Sequence, residues 1–218
     1  MKKSLAEFLG TSMLAAVVVG SGAMAENLSN DVGVQLLINA AATGAALWLL
    51  ITLFAPISGA HFNPVVTGID FFCKKITIQG ALQYFAAQFL GAISGSIIAN
   101  LLFDHPAIDI SSKNRDGGNL FLSEIIATAG LIFVIHQLST MKKGRLVAAG
   151  VAAWIFVAYF FTSSTSFANP AITIGRIFSN SFAGIAPHSA FAFIPFQILG
   201  GALGYLLFRT LTTKAVKK

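Results

Sequence analysis

Two Asn-Pro dipeptides offer the clearest site chemistry in this chain of 218 residues. Asn63-Pro64-Val65 lies in the first half, and Asn169-Pro170-Ala171 lies in the second. Asn is a preferred N-cap and Pro a preferred first residue of a helix, so each motif predicts a helix start. We expect no bond-making chemistry at either motif. The expected chemistry is recognition, in which an Asn side chain donates an N–H to a passing oxygen.

The composition of the chain predicts where these two helices begin. The chain is 56% hydrophobic and 10% charged, with a mean hydropathy of +0.78. Soluble domains carry about 25% charged residues, so this chain cannot cover a soluble surface. We therefore predict an all-α membrane protein. The single cysteine, Cys73, excludes an intramolecular disulfide, and the four histidines show no metal-ligand spacing, so neither a metal nor a cofactor is expected.

Hydropathy divides the chain into long and short apolar segments. A transmembrane helix needs about 20 apolar residues. Six windows meet this criterion: 5–24, 33–54, 81–103, 121–138, 146–162 and 189–208. The segments 64–72 and 170–180, which the Asn-Pro motifs open, are too short to span. They are predicted to be half-helices in re-entrant loops, which a membrane tolerates only where protein or a water-filled path covers the open backbone.

Positive charges predict the orientation. With both termini in the cytoplasm, three basic residues face outward, namely Lys113, Arg115 and Arg176. The other 11 face inward: Lys2, Lys3, Lys74, Lys75, Lys142, Lys143, Arg145, Arg209, Lys214, Lys217 and Lys218. This asymmetry predicts a multi-pass protein of the inner (plasma) membrane with cytoplasmic termini. It also explains the basic charge without a nucleic-acid partner, so the lipid bilayer is the expected partner.

The first apolar segment has a second interpretation. Lys2-Lys3, an apolar stretch and Ala23-Met24-Ala25 resemble a secretory signal with its cleavage site. We favour a retained span because Glu7 is unusual in the apolar region of a signal. Removing the segment would also leave five spans and break the internal repeat.

The two halves of the chain match each other. Ala6–Thr11 resembles Ser123–Thr128, and Gln88–Gly95 resembles Gln197–Gly204. We place repeat 1 at about 5–103 and repeat 2 at about 121–209, within a single domain covering 1–218. Because each repeat has three spans, the second copy enters the membrane upside down. Inverted repeats with broken helices are typical of transport proteins that place their site at the midplane.

Glu7 and Glu124 occupy matching positions at the start of each repeat. An ionisable residue inside a span indicates a function by default. Their symmetry favours a structural role, in which each carboxylate accepts hydrogen bonds from backbone amides of the adjacent re-entrant loop. A proton relay is the alternative.

The two half-helices are predicted to meet N-terminus to N-terminus. Each N-terminus has unsatisfied amide donors and roughly half a positive charge. A solute oxygen at the midplane would accept from Asn63 and Asn169, while cations would meet an electrostatic barrier and proton relay would be interrupted. Backbone carbonyls of 59–61 and 165–167 would supply acceptors on either side.

These motifs resemble those of the aquaporin, or major intrinsic protein, family. The segment from Ser58 to Pro64, Ser-Gly-Ala-His-Phe-Asn-Pro, is a close match to the family's first re-entrant loop, and the resemblance covers essentially the whole chain. It implies a single transmembrane channel domain with six spans and two half-helices. It also implies a homotetramer with a pore in each subunit and passive flow of water or small neutral solutes.

Departures from the family pattern concern the filter. Val65 replaces the usual Ala, and Ile172 stands where many members carry Arg. By spacing from the Asn residues, the remaining filter positions correspond to Thr43, Val157 and Ser166. Such a filter would be wide, with little demand for hydrogen bonding. The resemblance then implies relaxed selectivity toward glycerol, urea or neutral metalloid hydroxides such as arsenous acid.

Two residues near the motifs receive secondary assignments. Arg176 lies one helical turn beyond Ile172 and could reach an outer vestibule. We favour instead an Arg that is paired or snorkels at the membrane surface. His61 is expected to order its loop.

Other functions stay open at this stage. A water-selective channel is the nearest alternative. A coupled secondary transporter is less favoured because Asp70 is the nearest acid to the midplane, at the end of the first half-helix. An enzyme is less favoured because the sequence shows no Ser/His/Asp, Cys/His or metal-ligand cluster. A structural junction protein with a closed pore is a further alternative, and only a transport measurement would distinguish it from a channel.

Overall fold

A computed structural model describes residues 1–141 and 144–213 of the protein. These residues form helices and turns, with no strand among them. The eight α-helices are α1 Lys2–Leu28, α2 Val32–Ser58, α3 Pro64–Phe72, α4 Ile78–Leu102, α5 Gly118–Thr140, α6 Val147–Phe161, α7 Pro170–Gly175 and α8 Pro187–Thr213. A 3-10 turn at Gly144–Leu146 leads into α6, and another at Arg176–Phe178 follows α7.

Six of the described helices are long and apolar enough to cross a membrane, which confirms the six predicted spans: α1, α2, α4, α5, α6 with its preceding 3-10 turn, and α8. Most extend beyond the predicted windows. Hydropathy marks the apolar middle of a helix, whereas the backbone stays helical through polar residues at its ends. In α1, for example, the helix continues through Glu26 and Asn27.

The two short helices differ in length. α3 spans 64–72 as predicted, but α7 ends at Gly175, so the predicted segment 170–180 was too long. The carbonyl oxygens after Gly175 accept hydrogen bonds from other segments instead of from the next helical turn. Ser111 N donates to Ile177 O at 2.8 Å, and Asn100 Nδ2 donates to Phe178 O at 2.8 Å. The chain therefore leaves helical geometry after the 3-10 turn.

The helices pack as two copies of one arrangement. α1 packs along α4 and α5 packs along α8, while α2 and α6 contact each other across the halves. Three crossings per half invert the second copy. The start of α1 and the end of α8 share one side of the bundle, which we call the terminal face. The opposite side is the distal face.

Glycines permit the closest helix contacts. Gly95 of α4 lies against the carbonyl oxygen of Ser12, and Gly204 of α8 lies against that of Ala129. A Cβ at either glycine would overlap the facing backbone. Backbones can approach this closely only where small residues form the interface, which is typical of membrane helices.

Part of the charge pattern behind the predicted orientation lies outside the described residues: Lys142, Lys143, Lys214, Lys217 and Lys218. The assignment of the terminal face to the cytoplasm stays a prediction from sequence.

Candidate functional site

The two Asn side chains lie where the half-helices meet. Asn63 Oδ1 accepts from Val65 N at 2.9 Å and so caps α3, while its Nδ2 donates to Ala168 O at 2.8 Å. Asn169 Oδ1 accepts from Ala171 N at 3.0 Å, and its Nδ2 donates to Phe62 O at 2.8 Å. Each NH₂ group has two hydrogens and uses one here, so a second N–H remains at each Asn.

Glu7 organises the loop before the first motif. Its Oε1 accepts from Ser58 Oγ at 2.6 Å and from His61 N at 3.0 Å. Its Oε2 accepts from Phe62 N at 2.7 Å and from Gln88 Nε2 at 2.8 Å. The carboxylate is fully buried and has four donors, which is how a buried acid is tolerated.

Glu124 repeats this arrangement before the second motif. Its Oε1 accepts from Ser164 Oγ at 2.6 Å and from Phe167 N at 3.0 Å, and its Oε2 accepts from Ala168 N at 2.9 Å and from Gln197 Nε2 at 2.7 Å. Neither glutamate belongs to the described residues that line the central cavity. This geometry favours the positioning role over a proton relay.

Both loops have unusual backbone. Ala60 and Phe62 have φ of 50° and 49°, and Ser166 and Ala168 have φ of 51° and 47°. Non-glycine residues in this left-handed region cost roughly 1 kcal/mol or more each. Because the amides of these loops donate to Glu7 and Glu124, the carboxylates offset that cost.

A cavity of about 650 Å³ passes between the halves. Asp70, Lys75 and Arg145 line it toward the terminal face, and Asn63 and Asn169 line its middle. Most of the remaining wall is apolar: Leu14, Val18, Leu47, Val66, Leu131, Ile135, Val151, Ile155 and Ile172 among others. The loop residues 59–61 and 166–168 also contribute, whereas Thr165 is not among the described lining residues.

Three of the four predicted filter residues line the distal part of this cavity. Thr43 Oγ1 pairs with Tyr159 OH at 3.1 Å, Ile172 presents an apolar wall, and Ser166 Oγ has no hydrogen-bond partner within the part of the chain that the structure describes. These three side chains contribute to the wall of one cavity.

Val157 was wrongly placed in the filter. Its side chain is 48% exposed on the outside of α6, while Ile155 and Tyr159 line the cavity. Successive helical residues are about 100° apart, so a residue two positions from both of these faces away from the cavity. Counting back from Asn169 crossed a loop and lost the helical register. The apolar stripe Ala148, Val151, Ile155 and Tyr159 would have identified Tyr159.

Arg176 was wrongly assigned to the membrane surface. Its side chain is 2% exposed and lines the cavity. Its Nε donates to Ala183 O, and its Cζ lies 3.5 Å from the centroid of the Phe167 ring. The residue is one turn beyond Ile172 on the same wall, so the chain turn after α7 directs it toward the passage rather than toward lipid.

Two further cations lie near Arg176 at the distal mouth. Arg115 Cζ is 5.1 Å from the same Phe167 ring, and Arg115 Nε donates to Gly184 O at 3.0 Å. Lys113 Nζ donates to Phe182 O at 2.8 Å. Burial, aided by Arg115 and Arg176, lowers the pKa of Lys113 to about 8. Sequence reasoning counted both residues only as orientation charges, since nothing in their spacing indicated a cluster.

The terminal mouth has a different charge arrangement. Asp70 Oδ2 lies 3.4 Å from His61 Nε2, and Asp70 Oδ1 accepts from Lys75 Nζ at 2.9 Å. His61 Nδ1 is 3.0 Å from Thr67 Oγ1, so the His ring joins its loop to α3. This is the contact expected of a loop-ordering residue.

Val65 points away from the passage. A Cβ built on Gly201 of α8 would overlap Val65 Cγ1, and Val65 lines a separate groove between α3, α4 and α8. The extra bulk of Val over Ala therefore packs against α8.

Comparison with known proteins agrees with this geometry. A family model described as Major intrinsic protein matches residues 1–162. The chain is 42% identical over 215 residues to "Aquaglyceroporin AqpS" of Rhizobium meliloti (strain 1021), which covers 98% of this chain and 91% of that protein. It is 33% identical over 190 residues to "Probable aquaporin TIP-type" of Medicago truncatula, covering 80% of this chain and 74% of that protein.

A solved structure shows the same fold. The aquaglyceroporin from Plasmodium falciparum superposes with a TM-score of 0.71 at 22% identity, covering 99% of this chain and 96% of that chain. The resemblance and the fold expected from the two motifs are thereby confirmed. The chain belongs to the major intrinsic protein family of membrane channels.

Proposed function

We propose that the protein is a passive channel for small uncharged solutes. It conducts water together with wider solutes such as glycerol, urea or neutral metalloid hydroxides such as arsenous acid. The observation that carries this proposal is the cavity of about 650 Å³, which passes both Asn63 and Asn169. It extends from Lys75 and Arg145 toward the terminal face to Thr43, Tyr159 and Arg176 in the distal half. Its relative of 42% identity is named an aquaglyceroporin, which supports a solute range beyond water.

The helix N-termini that meet at the midplane account for the exclusion of ions. The N-termini of α3 and α7 direct their partial positive charges to one place, where they oppose a cation. The free N–H of each Asn can donate to a solute oxygen but cannot accept from it. A water molecule held there by donors is poorly oriented to pass on a proton.

The filter residues determine which sizes of solute can pass. Ile172 occupies the position that carries Arg in many family members, and Thr43 already uses its hydroxyl on Tyr159 at 3.1 Å. Around Thr43 and Ile172, the wall therefore makes few hydrogen-bonding demands on the solute. Because Ile is smaller than Arg, the passage at this position also leaves more room for a larger neutral solute.

Stopped-flow swelling of proteoliposomes tests the proposal. Water, glycerol, urea and arsenous acid are compared, and we expect flux of all four. Fast water flow without glycerol or arsenous acid flux would leave a water-selective channel. Flux that saturates at low concentration, or that follows a proton or sodium gradient, would identify a coupled transporter instead.

Ile172→Arg tests the filter assignment. A guanidinium at this wall narrows the passage, so glycerol flux should fall by more than water flux. Ile172→Leu keeps volume and apolarity, and serves as the matched control. Equal loss of water and glycerol flux in Ile172→Arg would contradict the assignment of Ile172 to the filter.

We further propose a homotetramer in the plasma membrane with cytoplasmic termini. Large apolar side chains on α2 and α6 point outward, including Trp48 at 60% and Phe161 at 55% exposure. Lipid or neighbouring subunits can cover such faces. Light scattering of the detergent-solubilised protein measures the subunit number, and cysteine labelling at Lys3→Cys from either side of a spheroplast membrane tests the orientation.

A further inference from the structure

Arg176 is a buried cation with no carboxylate within salt-bridge distance in the described part of the chain, and Glu124 attracts it only from farther away. Its Nε donates to Ala183 O, while its two terminal nitrogens have no hydrogen-bond partner among residues 1–141 and 144–213. The side chain is 2% exposed and contributes to the cavity wall. A buried charge is costly unless paired, and one carbonyl oxygen and one aromatic ring compensate it only in part. The terminal nitrogens of such a guanidinium form a planar fork that fits two acceptor oxygens.

The neighbours of Arg176 increase the positive charge. Arg115 approaches the same Phe167 ring, and Lys113 is close enough for Arg115 and Arg176 to lower its pKa. In the described part of the chain, none of these three cations has a carboxylate within salt-bridge distance. Glu26 attracts Lys113 from a distance, but one of its oxygens accepts from Phe182 N at 2.9 Å.

The matching position in the first repeat shows what a balanced site looks like. Asp70 is the counterpart of Arg176 in the repeat, seven residues after its Asn in each case. There, the carboxylate is compensated by Lys75 at 2.9 Å and by His61 at 3.4 Å. Among the described residues of the distal mouth, no group within salt-bridge distance compensates Arg176 as Lys75 and His61 compensate Asp70.

From these observations we infer that Arg176 forms an anion-binding site at the distal mouth, which takes a small planar inorganic oxyanion. Arg176 holds two oxygens of the anion through its terminal nitrogens, and Arg115 and Lys113 add attraction. The inference rests on the proposed channel, because a bound anion occupies the path of neutral solutes and competes with them.

Nitrate is a suitable probe because it is planar, small and anionic at neutral pH. Glycerol flux into proteoliposomes is measured with increasing sodium nitrate at constant ionic strength, with bulky gluconate as the replacement anion. We expect saturable inhibition by nitrate. In Arg176→Gln, the half-inhibiting nitrate concentration should rise about tenfold or more, since a charge-assisted pair is lost. Arg176→Lys should fall between the two, because it keeps the charge and loses the fork.

Arg209→Gln is the matched control, since it removes the same charge from the terminal end of α8, outside the passage. Its nitrate sensitivity should equal that of the wild type. Equal sensitivity of wild type and Arg176→Gln would overturn the inference.

Thermal unfolding of the detergent-solubilised protein separates this inference from the proposed function. Nitrate should raise the Tm of the wild type relative to gluconate, and should leave that of Arg176→Gln unchanged. Absence of glycerol flux in the wild type would contradict the channel proposal, while the Tm shift would still decide the anion site. No difference in Tm shift between the two proteins would count against the site.

Discussion

The two re-entrant segments share the four hydrogen bonds to their buried glutamates. Ser58 and Gln88 bind Glu7 in the first half, as Ser164 and Gln197 bind Glu124 in the second. The side chains that face the passage differ. Where the first segment has His61, the second has Phe167 at the matching position.

The difference extends to the charges at the two mouths. Asp70 belongs to a cluster in which Lys75 and His61 balance its charge, whereas Arg176 stands among other cations. The repeated frame thus positions the two loops, while the residue seven positions after each Asn, Asp70 or Arg176, sets the electrostatics of its own mouth. A channel of this kind can change its selectivity at one mouth without rebuilding the other.

The shared frame predicts the largest effects. Glu7→Gln and Glu124→Gln each replace an accepting oxygen by an NH₂ group that faces buried donors. Each should lower the free energy of unfolding by about 3 kcal/mol or more, because buried donors lose their acceptor. Thermal unfolding in detergent and glycerol flux per reconstituted protein measure the loss. Asp104→Asn, an exposed acid on the distal loop, should be neutral. A strong effect in one half with none in the other would show that the two glutamates do not support their loops equally.

A packing difference between the halves predicts an intermediate effect. A Cβ at Gly201 would overlap Val65, so Gly201→Ala should destabilise the fold by about 1–3 kcal/mol. The double variant Val65→Ala/Gly201→Ala should recover most of this loss. By contrast, a Cβ at Gly175 would lie 2.7 Å from the backbone oxygen of Ala92. Shortening a side chain cannot relieve this overlap, because the facing atom belongs to the backbone.

Tm values of these variants test the contrast. Gly175→Ala should be destabilised with or without a second substitution at Ala92. Failure of Val65→Ala to rescue Gly201→Ala would show that the overlap is relieved elsewhere.

The smallest effect concerns pH at the distal mouth. Because the pKa of Lys113 is lowered to about 8, this residue loses its proton between pH 7 and 9, while a free lysine would stay charged. The charges that act on it are Arg115, Arg176 and Glu26. Inhibition of glycerol flux by nitrate should therefore weaken about two- to fivefold over this range, since one positive charge disappears. Lys113→Met should show weak inhibition and no pH dependence from 7 to 9. A flat wild-type profile would contradict a role for Lys113.

The six spans and the starts of the half-helices could be predicted well from the sequence, whereas the residues of the pore wall could be predicted less well. The Asn-Pro motifs, the repeat and the hydropathy windows each rest on local patterns, and the six spans and the start of each half-helix follow from them. The position of Val157 depended on counting across a loop, where register is lost. The position of the Arg176 side chain depends on how the chain turns after Gly175, and hydrogen bonds to distant segments determine that turn. The cluster with Lys113 and Arg115 joins segments about 60 residues apart, and no local pattern indicates such a contact.

The reciprocal bonds of the two Asn residues have a consequence for how the protein is made. Asn63 donates to Ala168, 105 residues later in the chain, and Asn169 donates to Phe62, 107 residues earlier. Neither of these two bonds can form before both loops have been synthesised and have entered the bilayer. We therefore expect the contact between the two half-helices to be completed late in folding.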